Sequence, residues 1–372
     1  MKQQQQTEAE ALPPELVERI LLFLPVKSLI RFRCVSKQWL SLISDSRFAK
    51  LHYDTADAAP ANNNTRVLYL SNKVSEARCI DLEASILSDY ALQLPISCRN
   101  VPLGILGSCR GFILLRPHVN GTDLILWNPV TGSHKAVPYP VDDPTAPCWT
   151  GFDGTNLLWG GLGYDESTDD FFVVVGLGWR SGFEDIRFQW HYFSVRTNSW
   201  KEIECGHLPP HFPLNECGVF CNGAIHWLAM KDTAFNDIIV SFDIAGKHLS
   251  MMSLPILSFP EMQGCHDWRL KVFGGCLGIS YLKKNWKIGL WVMKEYNMES
   301  SWTKPNVVLP CDDGMFFLLC FTNGGELVGM QYNTKLIKFN DKGEWADSLA
   351  ITCDRTDKLM VMFTQSMRSL QD

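Results

Sequence analysis

Residues 124–138, LILWNPVTGSHKAVP, read as a β-hairpin with a marked centre. An apolar run ends on Trp127, a turn closes at Thr131-Gly132, and a second run ends at Pro138. Glycine offers the positive φ that a tight hairpin turn needs. The design returns in HYFSVRTNSWKEIE (191–204), IIVSFDIAGKHLSMMSLP (238–255), IGLWVMKEYNMESSWTKPNVVLP (288–310) and LIKFNDKGEW (336–345). Asn198-Ser199, Ala245-Gly246 and Lys342-Gly343 are the turn pairs, and the copy at 288–310 has a longer turn, Glu295 to Ser301. The aromatics ending each leading strand are Trp127, Phe193, Phe242, Trp291 and Phe339, at gaps of 66, 49, 49 and 48. A weaker copy, ARCIDLEAS, puts Ile80 47 residues before Trp127.

A strand-built repeat with a period of about 40–50 residues is the mark of a β-propeller, one blade per repeat. A second repeated element agrees: GSCRGFILL, GVFCNGAIHWL, KVFGGCLGISYL and FTNGGELVGM each read as strand, glycine turn, strand. The anchors predict six blades, or five and a partial one. The gap of 66 requires an insertion, within Pro140 to Leu162 or Gly176 to Gln189. The stretch from Leu359 to Met367 is apolar enough to pair with Arg66 to Ser71 and close the ring, which would remove exposed sheet edges. An irregular β-sandwich is the alternative.

Composition fits this reading. The 13 Trp, 27 Gly and 19 Pro are what aromatic strands broken by turns require. The formal charge of −6 is uneven: Leu12 to Tyr53 hold seven basic and three acidic residues, a net of +4, leaving −10 elsewhere. An acidic main domain argues against nucleic acid as a partner. No apolar run reaches the ~18 residues of a membrane span. The opening MKQQQQTEAEALPPE has no apolar signal region, and the 13 Cys follow no disulfide framework. An intracellular location, cytoplasm and/or nucleus, is expected.

The sequence divides into a disordered lead (1–11), a helical module (12–53), a linker (54–65) and the all-β domain (66–372). In the module, Pro13-Pro14 suit a helix start, and Leu16, Ile20 and Leu24 recur at four-residue steps until Pro25. Ser28 is placed to cap a second helix carrying Leu29, Phe32, Val35, Trp39 and Leu42. Asp45 or Ser46 would cap a short third one with Phe48 and Leu51. Three helices in about forty residues are near the lower limit for an independent core, so part of their apolar surface must pack on the β domain or on a partner.

The stretch LPPELVERILLFLPVKSLIRFRCVSKQWLSLI (12–43) resembles the F-box, matching its Leu-Pro start, its Leu-Pro-x-Lys-Ser-Leu centre and its Val-Ser-Lys and Trp end. The resemblance implies binding to a Skp-type adaptor and, through it, to cullin and RING subunits. It assigns Leu12, Pro13, Leu16, Ile20, Leu21, Leu24, Pro25, Leu29, Val35 and Trp39 to that contact, with Val35 and Trp39 fitting an internal core equally well. The WNPVTG turn, GLGYDESTDDFFVV and WVMKEYNMESSWTK resemble the F-box-associated domain of plant F-box proteins, often called F-box/kelch. Kelch-type doubled glycines do not recur in each repeat. Together the two resemblances cover nearly the whole chain.

The resemblance implies a non-catalytic substrate receptor of a ubiquitin ligase that recruits a target protein for degradation. The alternatives are an F-box scaffold that does not promote degradation and, more remotely, a propeller enzyme. No nucleophile elbow or HExxH helix is present. Cys205, His207, His211, Cys217 and Cys221 cluster, but their spacing matches no common zinc template, and no cofactor is expected. Exposed aromatics and Arg dominate interface hot spots. Trp149, Phe152 and Trp159 in one insertion, Trp179, Arg180 and Phe183 in the other, and His266 with Trp268 between later blades are therefore the candidates for holding a target protein.

Overall fold

A computed structural model describes residues 12–58, 65–71, 76–118, 123–140, 158–180, 186–204, 212–213, 217–230, 237–254, 266–283, 288–305, 316–332, 334–351 and 360–370. Among these residues four helices precede the strands, one more than the periodicity suggested: α1 (Pro14–Leu22), α2 (Val26–Phe32), α3 (Lys37–Ser44) and α4 (Ser46–Ala58). The expected second helix is split because Ser36 adopts extended backbone and its hydroxyl accepts from the Trp39 amide, 3.1 Å, starting a new helix. Pro25, not Ser28, stands at the start of α2. Asp45 caps α4 through the amides of Arg47 and Phe48. That helix is long, 13 residues, and runs on into the stretch read as a linker.

The strands form six antiparallel sheets, the blades of a propeller; no sandwich is present among the described residues. Blade 1 holds β1 (Thr65–Ser71), β2 (Glu76–Asp81) and β3 (Asp89–Leu92). Blade 2 holds β4 (Leu103–Cys109), β5 (Phe112–Pro117), β6 (Leu124–Trp127) and β7 (His134–Val137). Blade 3 holds β8 (Leu158–Asp165), β9 (Asp170–Arg180), β10 (Ile186–Ser194) and β11 (Ser199–Ile203). Blade 4 holds β12 (Phe212–Pro213), β13 (Val219–Cys221), β14 (Ala224–Met230), β15 (Asp237–Asp243) and β16 (His248–Ser253). Blade 5 holds β17 (His266–Phe273), β18 (Cys276–Leu282), β19 (Ile288–Met293) and β20 (Trp302–Thr303). Blade 6 holds β21 (Phe316–Phe321), β22 (Leu327–Gln331), β23 (Lys335–Phe339) and β24 (Trp345–Ala350).

The last strand, β25 (Met360–Thr364), completes blade 1 by pairing with β1, Val67 opposite Met362 and Tyr69 opposite Met360. The ring is thus closed by the two ends of the described β domain. Ile80, Trp127, Phe193, Phe242, Trp291 and Phe339 all occupy the third position from the inner edge of their blades and are buried. The left-handed turn residues are Gly132, Asn198 and Gly343 as the spacing suggests, but Lys247 (φ 54°) takes that place in blade 4 rather than Gly246.

Neighbouring blades share apolar cores all round the ring. Strands such as β5, buried along their whole length, serve both sides at once: Leu114 packs toward blade 3 while Ile113 and Leu115 pack toward blade 1. At the hub, three inner strands come together on glycines. The Gly218 amide donates to Leu106 O (2.9 Å) in blade 2 and to Gly160 O (2.8 Å) in blade 3. A Cβ on Gly107 would lie 3.0 Å from the Leu162 nitrogen, and one on Gly218 would lie 2.6 Å from Ile225 Cγ2. Only residues without a side chain let the backbones approach this closely.

Candidate functional site

The helical module has two apolar faces. Inward, Leu21, Val26, Leu29, Ile43, Phe48 and Ala49 form a closed core, with Val17, Leu24, Phe32, Trp39 and Leu42 packed at its edge. His52 ties α4 to the turn between α1 and α2 by donating Nε2–H to Leu24 O, 2.8 Å, and its burial lowers its pKa. Outward, Leu16 (44% exposed) and Ile20 (52%) lie on one face of α1 and Phe23 (60%) stands at its end, with Leu12, Ile30, Val35 and Leu40 also exposed. A helix that is apolar on both sides yet sits at a surface is left with one side uncovered, here among the described residues. Lys27 and Arg31 of α2 and Lys37 of α3 are exposed as well.

The residues assigned by resemblance therefore separate. Leu12, Pro13, Leu16, Ile20, Pro25 and Val35 are exposed and accessible. Leu21 and Leu29 are fully buried and act by shaping the helices from within, not by touching another protein. Leu24 and Trp39 are half-buried at the rim of the inner core, Trp39 edge-on to Phe32 with ring centres 5.4 Å apart. Phe23, Ile30 and Leu40 were not singled out in the sequence. Steps of four and three from Leu16 to Ile20 to Phe23 were the signal that would have found one of them.

The module sits on blades 2 and 3. Arg110, in the β4–β5 turn, places its Nη1 2.7 Å from Asp54 of α4 and its Nη2 2.8 Å from Glu166 of the β8–β9 turn. Its guanidinium lies 5.0 Å from the Tyr53 ring centre and 4.3 Å from that of Tyr164. Beside it, Asp169 receives Lys50 of α4 at 3.6 Å, Arg368 at 2.6 Å and the Tyr164 hydroxyl. Burial opposes the charge on Asp169, but the Tyr164 hydroxyl, Arg368 and Lys50 outweigh it and hold the carboxyl at about 2.

Every turn between first and second strands, or third and fourth, lies at the end of the blade where the helices sit, because the strands alternate in direction. The strand ends leading to second–third and blade-to-blade connections lie at the opposite rim. Of the target-face candidates, Trp149, Phe152 and Phe183 lie outside the described residues. Trp179 and Arg180 end β9, their backbones paired with Arg187 and Ile186 near that opposite rim. His266 opens β17, paired with Leu282. Trp268 is half-buried, 4.8 Å from the Tyr281 ring. Trp159 is a correction: it lies in β8, is 3% exposed, and packs against Trp190 (4.8 Å) and Trp227 (6.4 Å) in the core between blades 3 and 4. Its ring is structural.

Among the described residues no group of His, Cys, Asp or Glu is arranged to hold a metal ion; Cys205, His207 and His211 lie outside them. No helix among them is long and apolar enough to cross a membrane.

A helical module with an exposed apolar face, seated on a closed six-bladed ring, defines an F-box protein of the propeller type. The chain belongs to the family of F-box proteins with an F-box associated beta propeller domain: that domain's family model matches residues 61–339, and the F-box domain model matches residues 10–51. It is 29% identical to the F-box/kelch-repeat protein At3g23880 of Arabidopsis thaliana, over 84% of this chain and 86% of that protein. It is 30% identical to the F-box protein CPR1 of the same plant, over 79% and 72%.

Proposed function

We propose that the chain is the substrate-recognition subunit of a Skp–cullin–F-box ubiquitin ligase, working inside the cell and carrying no catalytic residue of its own. The observation that carries this reading is the outward stripe of Leu16 and Ile20 on a helix whose other face is already buried, with Phe23 exposed at its end. Such a stripe is half of a protein interface, and the exposed basic residues of the same module suit an acidic adaptor, speeding association more than tightening it. The adaptor would in turn engage cullin and RING subunits. The rim opposite the helices, where Trp179 and Arg180 end β9, would hold the target, and proximity would raise its effective concentration for ubiquitin transfer by the other subunits.

The test is capture of a Skp-type adaptor by the full chain. Leu16→Asp with Ile20→Asp should abolish capture without lowering the thermal midpoint; capture that survives the pair would overturn the reading. Trp179→Ala with Arg180→Ala should leave adaptor capture intact while releasing the co-purified target. Ubiquitination of that target in the reconstituted assembly separates a degradative receptor from a scaffold.

A further inference from the structure

We infer that the docking face of the helices is positioned by the segment following β25, with Met367 completing the helical core. The inference rests on the adaptor-docking reading of that face. Met367 is 5% exposed and packs into the same cluster as Leu21, Val26, Leu29, Ile43, Phe48 and Ala49, with Val130 of the β6–β7 turn beside it. A core of six buried residues is small for four helices, and modules of this size are marginal alone. A methionine, with its flexible thioether chain, is suited to filling the irregular gap such a core leaves.

The path of the segment is fixed at each step. Asn128, fully buried, donates through Nδ2 to Ser366 O (3.0 Å) and Arg368 O (2.7 Å), while its Oδ1 accepts from the Val130 amide (2.9 Å). A Cβ on Gly111 (φ +88°) would lie 2.2 Å from Ser366 Cβ, so the segment is pressed against the β4–β5 turn. Arg368 is anchored on Asp169, and the Leu370 amide donates to Ser133 Oγ at 3.0 Å.

Thr364 is paired with Thr65 in the closing ladder, so Met367 follows three residues beyond a fixed point, a reach of about 10 Å. Ring closure and completion of the helical core therefore use one continuous piece of chain. When β25 pairs with β1, Met367 is delivered to the helices. A ring left open withholds it, and the adaptor face loses the support of α1 and α2.

Hydrogen exchange on the full chain tests this, with three variants: Met367→Ala, Met367→Leu, and a stop after Gln365 that leaves β25 whole. Protection of amides in α1 to α3 should fall roughly thirtyfold or more in Met367→Ala and in the shortened chain, and stay near the original in Met367→Leu. Adaptor capture should follow the same order, with leucine restoring it. Amides of β1 should keep their protection throughout. Helices that stay protected in the shortened chain would overturn the inference. So would equal loss in β1, because the segment would then be holding the ring rather than the helices. If the intact chain captures no adaptor, the docking reading fails by itself, and the exchange pattern still decides the role of Met367.

Discussion

Arg110 and Asp54 meet 2.7 Å apart, Nη1 to Oδ1, and that contact spans the seam between the last helix and the second blade. Much of the seam's strength lies elsewhere in the same side chain. Asp54 and Glu166 are partly solvated, and exposed ion pairs contribute little. The Arg110 guanidinium is largely buried between two tyrosine rings, where its packing and its cation–π contacts are lost with it.

Arg110→Ala should therefore weaken the seam by about 1–2 kcal/mol, and Asp54→Asn by clearly less than ~1 kcal/mol. Hydrogen exchange in α4 would show the difference. If the two substitutions cost the same, the ion pair, not the stacking, holds the module in place.

Leu21 is buried within α1 and Phe23 is exposed at its end, so the two should fail in opposite ways. Phe23→Asp should leave the thermal midpoint within about 1 °C and reduce adaptor capture at least tenfold, since it alters only an exposed face. Leu21→Ala should cost about 2–5 kcal/mol through the cavity it opens. Calorimetry beside a binding isotherm distinguishes them.

Gly218→Ala should destabilise the ring by about 1–3 kcal/mol, because the new methyl would meet Ile225, Trp227 and the Gly160 carbonyl at once, with none free to retreat. Gly132→Ala meets no neighbour, and its penalty should come only from its positive φ. The urea midpoints of the pair compare crowding with backbone strain.

His226 gives the ring an acid-side weakness. It is fully buried in β14, where desolvation lowers its pKa to about 4 against the partly offsetting hydrogen bond to Val219 O. Its Nδ1–H donates to that carbonyl (3.2 Å), leaving Nε2 to accept from the Tyr296 hydroxyl (2.9 Å). Between about pH 6.5 and 4 the unfolded chain takes up a proton that the folded one refuses, so stability falls as pH falls through that window. The loss should reach on the order of 2–3 kcal/mol. His226→Gln should flatten this slope in denaturation curves at pH 7, 6, 5 and 4. An unchanged slope would place the sensitivity in another group.

The blades were legible because each repeat carries a buried aromatic or aliphatic anchor at one structural position and a turn a few residues on, from Ile80 to Phe339. Closure by β25 was legible as an apolar strand left over at the end of the count. Trp159 was misplaced because the insertion broke the period just before it, leaving no anchor to put it in an inner strand. It lies in β8 beside Gly160 and Gly161, and Gly161 leaves room for Ile225 and Trp227 of blade 4. The helix count failed because apolar spacing continues smoothly through residues 29–42, while the break comes from one serine hydroxyl. The role of Met367 was hidden because a contact between residues hundreds apart leaves no local pattern.

β9 runs 11 residues from the turn at Asp169 to Arg180, about 35 Å at the usual rise of a strand. The ring is in this sense a gauge block. Two molecules bound at its opposite rims, as proposed, would be held at a set separation. Lengthening a surface loop would leave that separation unchanged; adding a residue pair to β9 and β10 together would move the far seat outward by about 7 Å.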